Sequence, residues 1–292
     1  MEYTSLRLPV LESRLDWITC TAKRDGSAVE LMNYADRHIR QSANSGNKVE
    51  AYKNHGYEGW RSGNWAWGWG KHGALVVASQ DDAQASAPVL AQLADHWSRC
   101  DYCVTVRDVE ARIDPTEDYY QSWRQFAANK QGLPKPTRIQ TLGGGATITV
   151  GERSGAYYTR VYDKAVESEG EYPDGCWRWE LELKRHASEG QQRRWRDSTP
   201  PSSYALNLIS TELGRYNLTV PWERSSVVKR DPEMRPQPDV ERTLRWLAKQ
   251  VRPSVERCIE AAGLDSVLEA LNLPHVVWTD AWDLKGAGLK GE

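Results

Sequence analysis

The chain has 292 residues, which is enough for one large domain or two smaller ones with a substantial core. Hydrophobic residues make up 39% and charged residues 27%, which is ordinary for a globular protein, and the formal net charge of -2 means that any basic surface is local. The sequence contains no run of roughly 20 apolar residues, and the segment from Met1 to Asp16 carries acids without a long apolar stretch. We therefore expect neither a membrane span nor a signal peptide.

The cysteines favour a cytoplasmic location. There are five, an odd number, and they are mostly scattered rather than arranged as a disulfide framework. Cys100 and Cys103 form a single C-x-x-C pair, but a zinc site needs a second pair of ligands. We therefore interpret these two cysteines as small residues of a strand.

The N-terminal third of the chain predicts a strand, a helix and a hairpin. Residues 15–22 alternate as in a strand, and residues 27–40 predict a helix. The polar segment 42–55 predicts a loop, and residues 60–70 and 73–79 predict the two strands of a hairpin.

Three tryptophans alternate in this hairpin, at Trp65, Trp67 and Trp69, so they share one face of the sheet. Such a face could stack unpaired bases, or it could pack beneath a helix. We favour packing, because the chain has 14 Trp and only one Phe, so tryptophan is its ordinary core aromatic.

The rest of the chain alternates between strand and helix patterns without a strict βαβ rhythm. Alternation or β-rich composition predicts strands at residues 99–107, 147–150, 156–164 and 177–184. Helical spacing of apolar residues predicts helices at residues 82–97, 119–127 and 205–213. Together these elements predict an α+β fold with a largely antiparallel central sheet flanked by helices.

Composition also suggests a division of the chain. A charged, proline-rich stretch is typical of a linker, and an apolar stripe beyond it predicts C-terminal helices that Pro253 splits. The predicted N-terminal region comprises residues 1–222 and is divisible into two related α+β halves, at about 1–110 and 111–222. The linker comprises residues 223–239, and the C-terminal helical region comprises residues 240–292.

Three of the predicted strands carry polar side chains on one face. Period-two geometry groups the following side chains on the first strand: Tyr158, Arg160, Tyr162 and Lys164. The second and third strands group Arg178, Glu180, Glu182 and Lys184, and Arg99 and Asp101. One such face could be a solvated surface with cross-strand ion pairs, but three in one domain indicate a polar site built on a sheet.

A site of this kind suits phosphodiester transfer. Carboxylates from different strands can hold one Mg²⁺ or Mn²⁺, which neutralises the phosphate oxygens. Arginine and lysine add positive charge where the transition state builds negative charge, and a tyrosine hydroxyl can attack phosphorus. A structural alternative stays open, in which Tyr162 is a core tyrosine bonded to Glu180.

Three segments follow one another in a recognisable order: Gly151-Glu152-Arg153-Ser154, Arg160-Val161-Tyr162-Asp163-Lys164 and Arg178-Trp179-Glu180. This order resembles the replication initiation factor family of rolling-circle plasmids, conjugative elements and phages, which typically shows a G-S-R-x-S turn, an R-x-Y-[DN]-K strand and an R-[FW]-E strand. Further family-like features are Asp16-Trp17-Ile18-Thr19 and the segments 243–247 and 251–254. The resemblance covers about residues 14–263.

The resemblance implies a rolling-circle replication initiator whose residues 1–222 form a DNA-nicking domain. Tyr162 would be the nucleophile, and Arg160 and Lys164 would be its electrostatic supports. The reaction would leave a 5′-phosphotyrosine and a free 3′-hydroxyl as primer, and the same site would later rejoin the strand.

The resemblance also implies a divalent metal site for Mg²⁺ or Mn²⁺. Glu180 matches the family carboxylate of R-[FW]-E, and Asp101 matches the first acid of an R-[IL]-D-x-x-x-D strand. Thr105 stands where the second acid of that strand is usual, and Glu182 is expected to compensate. The turn also departs from the family pattern, because Glu152 replaces the usual Ser.

Two neighbouring tyrosines are rival nucleophiles. Tyr157 and Tyr158 precede Tyr162 on the same strand, although Tyr157 should face away from the polar side. The sequence contains no His-x-His pair, so the histidine-metal type of nickase is excluded.

The predicted DNA contacts are basic residues in and after the motif strands: Arg153, Arg178, Lys184, Arg185, Arg193, Arg194 and Arg196. A solvated helix face is the alternative interpretation of the basic run from Lys184 to Arg196. The expected partners are origin DNA, double-stranded where it is recognised and single-stranded at the nick, a host helicase and a second copy of the chain. No membrane is expected, and the expected location is the cytoplasm of a bacterial host.

Two other functions stay open. The segments Pro173-Asp174 and Glu182-Leu183-Lys184 fit the loose P-D…E-x-K pattern of restriction-type nucleases, in which water attacks, although Pro173-Asp174-Gly175 also suits a plain turn. The second is a non-catalytic origin-binding protein. A covalent protein–DNA adduct distinguishes all three, because only the tyrosine enzyme forms one.

Overall fold

A computed structural model describes residues 3, 6–23, 26–127, 137–140, 145–229, 249 and 252–270. The chain forms two compact units, Met1–Glu233 and Met234–Glu292. In the second unit, helices α7 and α8 span Arg252–Ala262 and Leu264–Ala270, with Pro253 in the first turn of α7, where a missing N–H is tolerated. The earlier part of the predicted C-terminal stripe lies outside the described residues.

The first half of the large unit contains five strands and two helices: β1 Val10–Ala22, α1 Gly26–Asn44, β2 Glu50–Asn54, β3 Tyr57–Ser62, β4 Trp65–Gly70, β5 Gly73–Ser79 and α2 Gln80–Leu93. The prediction of a plain loop at residues 42–55 is wrong, because β2 lies there and pairs with β3.

The second half repeats this order with additions: β6 His96–Arg107, α3 Pro115–Ala127, β7 Thr137–Gln140, β8 Ala146–Val150, β9 Tyr157–Asp163, α4 Lys164–Glu167, β10 Cys176–Lys184, α5 His186–Asp197 and α6 Tyr204–Gly214. Helix α5 contains Arg193, Arg194 and Arg196, for which a helix was the alternative interpretation.

The ten described strands form one sheet in the order β2-β3-β4-β5-β1-β6-β10-β9-β8-β7. Every pairing is antiparallel, which confirms the predicted α+β class. When the added helices α4 and α6 are left out, each half runs strand, helix, four strands, helix. The first strands of the halves, β1 and β6, pair at the centre. The division into two related halves stays a proposal. The repeated order of elements suggests that the boundary between the halves lies between Leu93 and His96.

Helices α1, α2, α3, α5 and α6 of the large unit pack on one side of the sheet, which we call the helix face. Buried residues of α1, α2, α5 and α6 join sheet residues such as Ile18, Val76, Trp97 and Trp179 in one core cluster. Trp65 stacks on His38 of α1 with ring centroids 4.3 Å apart, and Trp67 donates to Asp36 of the same helix. The packing interpretation of these alternating tryptophans is therefore confirmed.

The opposite side, which we call the open face, carries the other side chains of each strand. In the described residues it has its own small core of Ala66, Leu75 and Val77, to which no helix contributes. The predicted polar groups of β6, β9 and β10 project to this same side, so the open face is where a site would form.

Candidate active site

The polar residues meet across three neighbouring strands of the open face. The cross-strand partners on β6 and β10 include Asp101 with Glu182 and Thr105 with Arg178. The partners on β10 and β9 are Glu180 with Arg160, Arg178 with Tyr162 and Glu182 with Tyr158. The predicted grouping of polar side chains on β6, β9 and β10 is therefore present, and the register brings Tyr158 as well as Tyr162 into it.

Tyr162 is bonded to a buried carboxylate. Its hydroxyl donates a hydrogen bond of 2.5 Å to Oε1 of Glu180, and the guanidinium of Arg160 pairs with Oε2 of the same carboxylate. Burial raises the pKa of Tyr162, and the negative charge of Glu180 raises it further. The tyrosine is therefore held as a neutral phenol, with the group that can accept its proton already in contact.

Lys164 is not beside this tyrosine on the strand. Strand β9 ends at Asp163, whose side chain accepts a hydrogen bond from the backbone N–H of Val166 and so begins helix α4. The ammonium of Lys164 pairs with Glu167 at 2.5 Å and lies 5.3 Å from the ring centroid of Tyr172. The expectation that Lys164 continues the polar face of the strand is wrong, because the chain turns into a helix there.

Asp101 and Glu182 form a buried pair of acids with two cations. Nε of Arg99 donates to Asp101 at 2.8 Å, its Nη2 lies 2.9 Å from Oε2 of Glu182, and Lys184 pairs with the other oxygen of Glu182. Burial raises the pKa of Asp101 to about 6. Among the described residues, neither buried oxygen of Glu182 accepts a hydrogen bond of good geometry.

A second acidic group, missed in the sequence, lies on the same face beside Arg178. Possible metal-ligand atoms of Glu12, Asp16 and Cys103 lie within 4.8 Å of one another. In the described part of the chain, no other three His, Cys, Asp or Glu residues bring their ligand atoms this close together. The predicted trio of Asp101, Glu180 and Glu182 therefore does not meet this distance.

Glu12 occupies the neighbourhood of the acid that the family pattern places at Thr105. The hydroxyl of Thr105 donates to Oε2 of Glu12 at 3.0 Å and accepts from Nε of Arg178 at 3.0 Å. Arg178 also pairs with Glu12 directly. Although burial opposes it, the charges of Arg178 and Arg14 lower the pKa of Glu12. Strand β1 thus places the carboxylate of Glu12 beside Thr105, the position on β6 where the family pattern has an acid.

The predicted DNA contacts fall into three different places. Arg178 is only 5% exposed, and its guanidinium is occupied by Glu12, Thr105 and Tyr172, so DNA does not reach it in this conformation. Arg153 and Arg185 are exposed near the end of β10, where Lys184 donates to the backbone oxygen of Arg153 at 2.8 Å.

The remaining basic residues lie on α5, which packs on the helix face. Gln191 of α5 accepts a hydrogen bond from Tyr102, whose strand neighbour Asp101 points to the opposite side. Arg193, Arg194 and Arg196 are therefore separated from the acids by the sheet. Arg194 lies over the ring of Tyr204 at 5.3 Å, and Arg196 donates to the backbone of Ala91. The basic segment does not form one patch.

The fold also separates the two acids of the nuclease pattern, Asp174 and Glu182. Asp174 is exposed in the turn before β10, whereas Glu182 is buried near the end of that strand. The six steps of extended strand from Cys176 to Glu182 alone span about 20 Å. The two acids cannot bind one metal ion together.

Comparison with known proteins places the chain in a family. The sequence profile described as replication initiation factor matches residues 99–270, which is more than half of the chain. The chain belongs to the replication initiation factor family. The matched segment begins on β6 at Arg99 and includes all of β9 and β10, and so it contains Asp101, Tyr162 and Glu180.

Among solved structures, the chain is similar to a rolling circle replication initiator protein from Geobacillus stearothermophilus. The identity is 18% and the TM-score 0.49, with 73% of this chain and 85% of that chain covered. A comparison with curated proteins gave no match. Within the part of the chain that the structure describes, no helix is long and apolar enough to cross a membrane.

Proposed function

We propose that this replication initiation factor starts rolling-circle replication by nicking one strand of its origin with Tyr162. The observation that carries the proposal is the contact between Tyr162 and Glu180, flanked by Arg160 and set on the same face as two further buried acids. A tyrosine with a proton acceptor, a guanidinium and nearby carboxylates has the parts that phosphodiester transfer needs.

In the proposed reaction the phenol oxygen of Tyr162 attacks the phosphorus while its proton passes to Glu180. The bond from phosphorus to the 3′-oxygen breaks, and that oxygen takes up a proton to become the 3′-hydroxyl primer. The phosphate stays on Tyr162 as a 5′-phosphotyrosine diester. Arg160 supplies positive charge beside the reacting group, and the reverse of these steps rejoins the strand.

A divalent ion, Mg²⁺ or Mn²⁺, fits the buried acids of the open face. Glu182 is the first candidate ligand, because the described partners of its two buried oxygens are the cations Arg99 and Lys184, whose place an ion would take, and Asp101 lies opposite it. Glu180 is the third candidate, and Glu12 with Asp16 is the alternative pair. When bound, such an ion neutralises the phosphate oxygens and orients the scissile bond.

Origin DNA is the proposed partner. It would be double-stranded where it is recognised and single-stranded at the nick, with Arg153, Lys184 and Arg185 as the basic residues nearest to the acids of β10. A host helicase and a second copy of the chain are further proposed partners, to which no described contact is assigned.

The proposal is tested with supercoiled DNA of the replicon that encodes the chain, incubated with Mg²⁺ or Mn²⁺ and then denatured. We expect one strand to be nicked and its 5′ end to stay attached to protein until protease treatment. A nick with a free 5′-phosphate would indicate attack by water, and origin binding without any nick would indicate a non-catalytic protein. Tyr162→Phe is the matched control, because it removes one oxygen and keeps the ring.

A further inference from the structure

The open face continues beyond the acids into the first half of the sheet, where its character changes. Trp17 on β1, Tyr52 on β2 and Tyr57 on β3 are half-buried and pack against the small core of Ala66, Leu75 and Val77. In the described residues no helix contributes to this cluster, so three aromatic side chains are left as the cover of a sheet.

Glycines allow at least one of these rings to lie against the backbone. A Cβ atom at Gly70 would lie 2.8 Å from Cδ1 of Tyr57, and one at Gly68 would lie 2.9 Å from Cβ of Tyr57. Both distances are too short for any side chain, so β4 must be bare at these two positions for Tyr57 to reach the sheet. We call the surface formed by Trp17, Tyr52 and Tyr57 on the open face the aromatic platform.

The platform adjoins the candidate active site through Arg99. Its guanidinium lies 5.4 Å from the ring centroid of Trp17, and it also pairs with Asp101 and Glu182. A strand leaving the acids along the open face would therefore meet Trp17 first. Four inter-strand steps of about 4.8 Å separate β1 from β2, so the platform is about 19 Å wide.

The charges of the platform suit bases better than phosphates. Of the β2–β5 side chains that point to this face in the described strands, the charged ones are Glu50 and Arg61, which pair with each other at the outer edge. Between them and Arg99, the described strands carry no further charge on this face beside the aromatic residues: the other side chains are aliphatic, glycine or uncharged polar, the polar ones being Thr19, Thr21, Asn54 and Ser79. Base stacking on aromatic rings needs such a surface and tolerates any sequence, whereas a duplex hides the faces of its bases.

We propose that the aromatic platform binds single-stranded DNA next to the nick by stacking unpaired bases on Trp17, Tyr52 and Tyr57. The inference rests on the proposed nicking function and assigns a place for the strand that the reaction opens. The width allows on the order of four nucleotides, at the lower end of the site sizes of single-strand-binding folds.

The test measures binding of fluorescein-labelled oligothymidylate by anisotropy, with EDTA present and in the Tyr162→Phe background. Because neither cleavage nor origin recognition enters this measurement, it is independent of the nicking assay. We expect Trp17→Leu and Tyr57→Leu each to weaken binding on the order of 5- to 100-fold. Trp17→Phe should retain most of the affinity, because it keeps an aromatic face.

Trp60→Leu is the matched control. Trp60 lies on β3 between Gly59 and Arg61, so it points to the helix face, and it is 50% exposed. We expect wild-type affinity for this variant, and duplex DNA should show no dependence on Trp17 or Tyr57. Unchanged oligothymidylate binding by the folded Trp17→Leu and Tyr57→Leu proteins would overturn the platform. Origin nicking by the chain with Tyr162 intact would show separately that the proposed function stands.

Discussion

The hydroxyl of Tyr162 donates a 2.5 Å hydrogen bond to Oε1 of Glu180, across the pairing of β9 with β10. The same contact satisfies two descriptions, a core tyrosine with its polar group paired and a nucleophile beside its proton acceptor. Experiments on Glu180 separate them, because a packing contact does not need a titrating group and a proton acceptor does.

Glu180→Gln should abolish most strand cleavage while leaving the fold nearly intact. The amide keeps the size of the side chain and can accept from Tyr162, but it cannot take the proton, a step worth about 10²- to 10⁴-fold in rate. The measurement is the single-turnover nicking rate with excess protein. Glu167→Gln, at the exposed partner of Lys164, is the control and should nick normally. A Glu180→Gln protein that nicks at the wild-type rate would reduce Glu180 to a packing role.

Asp101 should make stability depend on pH in the absence of metal. Its pKa is about 6 in the folded protein against a reference value of 3.8, so the native state binds more protons than the unfolded chain between these values. Stability should therefore fall as pH rises through about 4 to 6, by about 3 kcal/mol for a difference of about two pKa units. Urea unfolding in EDTA of the wild type and Asp101→Asn checks this, and parallel pH curves for the two proteins would contradict it.

Glu12→Ala should destabilise the fold more than a surface substitution does. It leaves Arg178 buried without its main counter-charge, and removing one member of a buried pair costs about 3 kcal/mol or more. Glu58→Ala is the control, since its pair with Lys53 is mostly exposed, and it should cost less than about 1 kcal/mol. Equal urea midpoints for the two variants would show that Glu12 does not support Arg178.

The two groups of basic residues should differ in their effect on DNA binding. Replacing both Arg153 and Arg185 by Ala should lower the log–log salt slope for single-stranded DNA by about 1.4, at about 0.7 per phosphate contact. Replacing both Arg193 and Arg194 should leave the slope unchanged, because α5 lies on the helix face. The reverse result would move the DNA path to that side of the sheet.

The sequence was informative wherever the pattern is local. Alternation on β9 and β10 correctly predicted that Arg160, Tyr162, Glu180 and Glu182 share a face, because side-chain direction in a strand depends only on parity. The same rule correctly predicted that Trp65 and Trp67 share the face of the sheet that packs against helix α1.

Non-local features were not predictable in this way. The proximity of Glu12 to Thr105 depends on the register of β1 with β6, which shifts at three irregularities. Helix α5 was only an alternative interpretation, because its buried side includes Ser188, Gln191 and Gln192, whose hydrogen bonds replace the apolar periodicity that predicts helices. Lys164 was misplaced because a cap at Asp163 ends the strand one residue earlier.

The most direct measurement is the identification of the residue that carries DNA after cleavage. The adduct is trapped by denaturation, digested with nuclease and protease, and read by tandem mass spectrometry. We predict a nucleotide on Tyr162, and no adduct with Tyr162→Phe. A nucleotide on Tyr158, which lies opposite Glu182 on the same face, would contradict the assignment. Efficient nicking without any adduct would contradict the tyrosine mechanism itself.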